Sequence, residues 1–119
     1  MGDLSTHFDR KEFACRCGCG FDKVSMDLID RLEHSRKATG LSYRISSGCR
    51  CKKHNKSEGG MFDSDHLTGE GVDIQCLNSS SRFVLLEDFI RRFKRIGIGR
   101  SFIHVGIRTD NPQQVVWLY

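Results

Sequence analysis

"SSSRFVLLEDFIRRFKRIGIGRSFIHVGIR", Ser79 to Arg108, holds two different hydrophobic periods in one run. In its first half Phe83, Leu86, Phe89, Ile90 and Phe93 recur at three- and four-residue spacing, the period of a helix with one apolar face. The preceding serines are helix-capping residues. From Arg95 the spacing falls to two, the period of strands: "RIGIG" and "SFIHVGIR", joined by a glycine turn, and then "QVVWLY". Upstream, "SMDLIDRLEHSRKATG" is the clearest helix, with Ser25 as N-cap, Asp27 in the first turn and Gly40 as the stop. "FDRKEFA" reads as a short helical turn, and "LSYRISSG" and "VDIQC" as strands. Between them, "CRCKKHNKSEGGMFDSDHLTGEG" is a polar, glycine-bearing excursion of 23 residues. An excursion of that length in a small domain points to function. The order predicts an α+β fold, a small antiparallel sheet with flanking helices, in a single domain over residues 1–119.

The chain has 119 residues and a net charge of +4, a mild bias toward anionic partners. The basic cluster Arg91, Arg92, Lys94, Arg95 and Arg100 reads as a solvated helix face. A nucleic-acid-binding surface would interleave exposed aromatic residues with such charges. Here the phenylalanines fall on the apolar helical stripe, so nucleic acid is not an expected partner. No stretch is long and apolar enough for a membrane span. "MGDLSTHFDR" has no apolar signal region. The expected locations are the place of synthesis, or outside it by host lysis or assembly into a particle.

Six cysteines occur as "CRCGC" (Cys15, Cys17, Cys19), "CRC" (Cys49, Cys51) and Cys76. Their one-residue gaps differ from the two- to four-residue gaps of zinc knuckles. Extended neighbours at i and i+2 point to opposite sides, so bridges between the clusters are easier than bridges within them. Disulfides, a cysteine-bound structural metal and free thiols all stay open.

Three further residues stand out. His66 lies in the long excursion, Asp73 enters the strand "VDIQC", and His104 lies within an apolar strand. Alternation places Phe102, His104 and Gly106 on one face, with Ile103, Val105 and Ile107 on the other against the core. His104 is then expected to look out from a sparsely furnished face. Two histidines and one carboxylate with a free fourth position form the donor set of a catalytic zinc ion.

The elements "SSGCRCKKHN", "GG", "SDHLTGEGVD" and "FIHVGIR" resemble the M15 zinc D-alanyl-D-alanine carboxypeptidase and endopeptidase family, in its short phage and bacterial branch. The resemblance runs from "EFACRCGCG" through "VVWLY". It matches the family's S-G-x-R, G-G and S-x-H-x-x-G-x-A-x-D patterns at Ser47, Gly48, Arg50, Gly59, Gly60, Ser64, His66, Gly69 and Asp73, and its later histidine at His104. It implies a hedgehog- and DD-peptidase-like fold. It also implies a Zn²⁺ ion on His66, Asp73 and His104, and hydrolysis of peptidoglycan stem or cross-link peptides by a monomer. Arg50 is the expected catalytic cation for a substrate carboxylate or developing oxyanion. Ser64 is the expected substrate-binding hydroxyl, with a loop turn as its alternative role.

Two positions depart from the pattern. Gly71 replaces an alanine. Gly106 replaces the aspartate of H-x-D, which in that family is part of the catalytic apparatus. The second departure predicts weak hydrolysis, a gain on Gly106→Asp, and Asp63, Asp65 or Asp110 as substitute bases. The alternative is a non-catalytic, zinc-containing cell-wall-binding or phage structural module.

Overall fold

The computed structural model describes residues 2–119. Helix α1 (Met26–Thr39) begins where the Ser25 hydroxyl accepts from the Leu28 amide, and ends at Gly40 with φ 71°. That left-handed φ is the reason for glycine there. The polar excursion is partly ordered into a short helix, α2 (Lys52–Ser57), and a 3-10 turn over Asp65–Thr68. Helix α3 (Ser79–Arg92) is capped by the Asn78 side chain rather than by the serines.

The face of α3 that meets the core is also rotated from the sequence expectation. Leu85, Asp88 and Phe89 are buried, with Phe93 just beyond the helix, whereas Phe83 and Ile90 are exposed. A polar residue takes a core-facing position because it is fully partnered there. Asp88 accepts from the Arg92 guanidinium through both oxygens and from the Ser35 hydroxyl on α1.

Five strands form one sheet: β1 (Ile45–Ser47), β2 (Gly71–Gln75), β3 (Arg95–Ile98), β4 (Phe102–Gly106) and β5 (Val115–Leu118), in the order β1-β2-β4-β3-β5. The α+β architecture is as expected. The sheet pairs antiparallel through β1, β2, β4 and β3, and at its edge β5 runs parallel to β3. Residues 107–114 carry the chain past the sheet end, so β5 enters the edge in the same direction as β3.

Val72, Ile74, Ile96, Ile103 and Val105 point into the core with Phe8, Phe13, Leu28, Leu32 and Phe89. The opposite face carries two rows set by register. Ser47, Asp73, His104, Gly97 and Trp117 lie side by side across the five strands. Gly71, Gly106, Arg95 and Val115 form the neighbouring row. No helix among the described residues is long and apolar enough to cross a membrane.

Candidate active site

The row through Asp73 and His104 is the floor of a cleft of about 720 Å³, walled by Arg50, Met61, Asp63, Ser64, Trp117 and Tyr119 among others. Antiparallel pairing sets Asp73 directly opposite His104, and the 3-10 turn at residues 65–68 lowers His66 onto both. His104 does not look out into solvent as alternation alone suggested. It is 2% exposed, covered by that turn and by Trp117, whose ring centroid lies 5.5 Å from the imidazole.

The two imidazoles converge on one carboxylate oxygen. Asp73 Oδ1 is 3.1 Å from His66 Nε2 and 2.9 Å from His104 Nδ1. One donor atom from each of the three residues lies within 4.8 Å of the other two. The remaining ring nitrogens are tied off. His66 Nδ1 donates to the Gly48 carbonyl at 2.6 Å, and His104 Nε2 donates to Asp65 Oδ2 at 2.9 Å. Fixing the outer nitrogen selects the tautomer that presents the inner one, the arrangement found around metal-ligating histidines. Nitrogen and carboxylate donors with outer partners in place fit a zinc ion.

Charge is distributed to match. Burial drives the His66 pKa down and keeps the ring neutral, as a ligand must be. Burial also opposes charge on His104, but Asp65 and Asp73 on its two sides outweigh it, so its pKa is raised. A cation on the Nδ1 side would take the place of that proton. Asp73 is desolvated as well, yet the two imidazoles hold its pKa well below the usual carboxylate range.

Asp65 was foreseen only as one of three possible bases, and the structure gives it a more specific place. It is 2% exposed. Beyond His104, it accepts from Arg95 Nε at 3.1 and 3.0 Å and from Asn111 Nδ2 at 3.1 Å. Burial disfavours its charge, but His104 and Arg95 prevail and its pKa is lowered. Both departures from the family pattern trace to this one side chain. A Cβ at Gly106 would lie 2.2 Å from Asp65 Oδ2, and a Cβ at Gly71 would lie 2.4 Å from the Asp65 Cβ and 2.9 Å from His104 Cε1. Asp65 therefore fills the space that a carboxylate at 106 and a methyl at 71 would need. A carboxylate at 106 would have to displace Asp65, which is held by three partners, and this weighs against the expected gain on Gly106→Asp alone.

Arg50 reaches the site. Its guanidinium contacts Ser47 Oγ at 3.0 Å, Asn55 Oδ1 at 3.4 Å and Asp73 Oδ2 at 3.4 Å. Ser64 lines the cleft, and its hydroxyl caps the 3-10 turn by accepting from the His66 amide. Asp110 is exposed near Arg108, away from the ligand cluster, while Asp63 lines the cleft.

Sequence reasoning missed several contributors. Arg95, grouped with a solvated helix face, lies on β3 with its guanidinium 5.0 Å over the Trp117 ring and in contact with Asp65. Its alternation with Ile96 on a strand was the available signal. Asn55, 3% exposed, donates to the Met61 carbonyl and orients Arg50. Gly60 is required beside it, because a Cβ there would lie 2.1 Å from Asn55 Oδ1.

A sequence profile of the peptidase M15 family matches residues 6–106. The chain belongs to the peptidase M15 family. The matched span contains His66, Asp73 and His104, together with Arg50, Ser64 and Asp65. It ends at Gly106, so Trp117 and Tyr119, which wall the M15 cleft here, lie beyond the match. No curated protein matches the chain significantly.

Proposed function

We propose that this M15 peptidase is zinc-dependent and hydrolyses amide bonds in peptidoglycan stem or cross-link peptides. The observation that carries the reading is the convergence of His66 Nε2, His104 Nδ1 and Asp73 Oδ1, each imidazole locked by an outer partner, at the floor of a wide cleft. Zinc bound there would polarise an amide carbonyl and lower the pKa of a coordinated water to about 7. The protein's own residues would supply position. Gly48 and Asp65 orient the two imidazoles. Arg50, held by Ser47 and Asn55, offers a planar fork to a substrate carboxylate or to the oxygen that gains charge. Trp117, Tyr119 and Phe102 form an aromatic wall for the apolar parts of a peptide.

Asp65 is poorly suited to accept the proton of the attacking water. Its oxygens are engaged by His104, Arg95 and Asn111, and its lowered pKa makes it a weak base. The carboxylates on the open side of the cleft are Asp63 and Glu58. General-base assistance typically contributes about 10²–10⁴-fold in rate. We therefore infer a slow peptidase that uses Asp63 or Glu58. The engaged Asp65 also favours a second reading, a wall-binding module that keeps the zinc cluster without turnover.

Digestion of purified peptidoglycan, with zinc-loaded and chelator-treated protein, tests both readings. Zinc-dependent release of stem-peptide fragments, lost in His66→Ala and reduced in Asp63→Asn or Glu58→Gln, is the expected result. Zinc-dependent binding to peptidoglycan without any cleavage would replace the first reading by the second. Neither cleavage nor binding would refute both.

A further inference from the structure

The N-terminal cysteines do not sit as extended neighbours. Gly18 and Gly20 adopt φ of 82° and 91°, and the Cys15 amide donates to the Phe21 carbonyl, closing residues 15–21 into a tight loop. That loop faces the start of α2. Cys15 and Cys17 sulfurs are 3.4 Å apart, and Cys51 Sγ lies 4.0 Å from the first and 3.7 Å from the second. With Cys19, the four sulfurs all lie within 4.8 Å of one another.

These separations bear on the disulfide and metal-bound states that the spacing left open. A disulfide needs sulfurs at about 2.05 Å, and all six cysteines are free. A tetrahedral zinc tetrathiolate with Zn–S bonds of about 2.3 Å has sulfurs about 3.8 Å apart along every edge. The observed spacings of 3.4–4.0 Å bracket that edge. The knuckle rule of two to four intervening residues applies when consecutive ligands share one turn. Here left-handed glycines replace that turn, and the fourth ligand arrives from a segment more than thirty residues away.

Backbone donors also address the sulfurs. The Cys51 amide points at Cys15 Sγ, 3.5 Å away, and the His54 amide at Cys51 Sγ, 3.4 Å away. Such bonds favour the thiolate form. The other two cysteines, Cys49 and Cys76, belong to the hydrophobic core cluster, which the four clustered cysteines do not join.

We propose that Cys15, Cys17, Cys19 and Cys51 form a structural zinc site, separate from the His66–Asp73–His104 cluster, that locks the 15–21 loop onto the segment carrying Arg50. The lock has a direct consequence. Cys51 adjoins Arg50, and Gly48, whose carbonyl orients His66, packs on Phe13 so closely that a Cβ would lie 2.7 Å from the Phe13 carbonyl oxygen. Closing the cysteine cluster therefore steadies both the guanidinium and an outer partner of the histidine cluster. With four protein ligands the site has no open position and no hydrolytic role.

The proposal does not depend on the peptidase reading, and its test reads sulfur ligation directly. Reduced, zinc-stripped protein is titrated with Co²⁺ and followed by absorption. A sulfur-to-cobalt charge-transfer band and intense tetrahedral d–d bands are expected in the wild type. The charge-transfer band should persist in His66→Ala/His104→Ala and vanish in Cys17→Ser/Cys19→Ser. Elemental analysis should find two zinc ions per chain in the wild type and one in each double variant. Absence of the charge-transfer band from the wild type would overturn the proposal, and so would unchanged zinc content in Cys17→Ser/Cys19→Ser. Cys17 and Cys19 are exposed, so their replacement spares the core. Should that variant fail to fold, the wild-type cobalt spectrum still decides.

Discussion

Exchanging the carboxylate between positions 65 and 106 is the sharpest test of how this cluster is built. Asp65→Ala removes the acceptor of His104 Nε2 and leaves the Arg95 guanidinium without its carboxylate. Losing an outer partner of a metal ligand costs about 10–100-fold in metal affinity, or about 1.4–2.8 kcal/mol at 1.4 kcal/mol per decade. Breaking a buried ion pair costs about 3–5 kcal/mol of stability. The lower end applies, because Arg95 keeps its bond to the Pro112 carbonyl and its place over Trp117. Gly106→Asp alone forces a second carboxylate into occupied, buried space, with its Cβ 2.2 Å from Asp65 Oδ2. Overpacking of this kind typically costs about 1–3 kcal/mol, and like-charge repulsion adds to it. Asp65→Ala/Gly106→Asp removes the two closest contacts, with Asp65 Oδ2 and Cγ, and leaves the Cβ of residue 65 at 3.2 Å. The new carboxylate stands on the His104 face, two residues along the same strand. The double variant should therefore recover stability and zinc affinity relative to both single variants, with a coupling of about 2 kcal/mol, within the range for residues in direct contact. Thermal unfolding and chelator competition for zinc give the two quantities. Additive effects, or Gly106→Asp alone matching the wild type in stability while gaining activity, would refute the reasoning.

Arg50→Lys keeps the charge but loses the fork that engages Ser47, Asn55 and Asp73. A charged hydrogen bond is worth about 1.5–3 kcal/mol, so peptide turnover or binding should fall about tenfold or more while melting shifts by only a few degrees; unchanged binding with a large melting shift would make Arg50 purely structural. Glu33 is buried, which opposes its ionisation, but its bonds from His7 and Ser5 bring its pKa from 4.5 down to about 2. A depressed carboxylate pKa contributes stability above the unfolded value and loses it as pH falls through the folded one. Stability should therefore decline between pH 4.5 and 2, and urea unfolding across that window should show a smaller decline in Glu33→Gln.

Much of this protein is written locally in the chain. The caps and stops of α1 depend on Ser25 and Gly40, and the period-two run from Arg95 makes strands because alternate side chains take opposite faces. The motif residues His66, Asp73 and His104 were legible because their types and spacings match a known pattern. Periodicity could not orient α3, since apolar spacing alone does not reveal that a polar residue, Asp88, has partners in Ser35 and Arg92 that pay for its burial. The parallel placement of β5 was equally hidden, because strand direction depends on where a connection crosses the sheet. The cysteine geometry needed the two glycines' φ angles and the approach of a distant segment. Asp65 shows the limit most clearly. In the chain it is one of several aspartates, 41 residues before Gly106 and six before Gly71. Only strand register and the fold of the 3-10 turn bring its carboxylate to the spot where those glycines leave room, so the two departures and Asp65 form one packing solution. Local sequence specifies backbone preference and chemical type; which side chain fills a given space is decided by atoms far apart in the chain, because excluded volume and hydrogen bonding act through space.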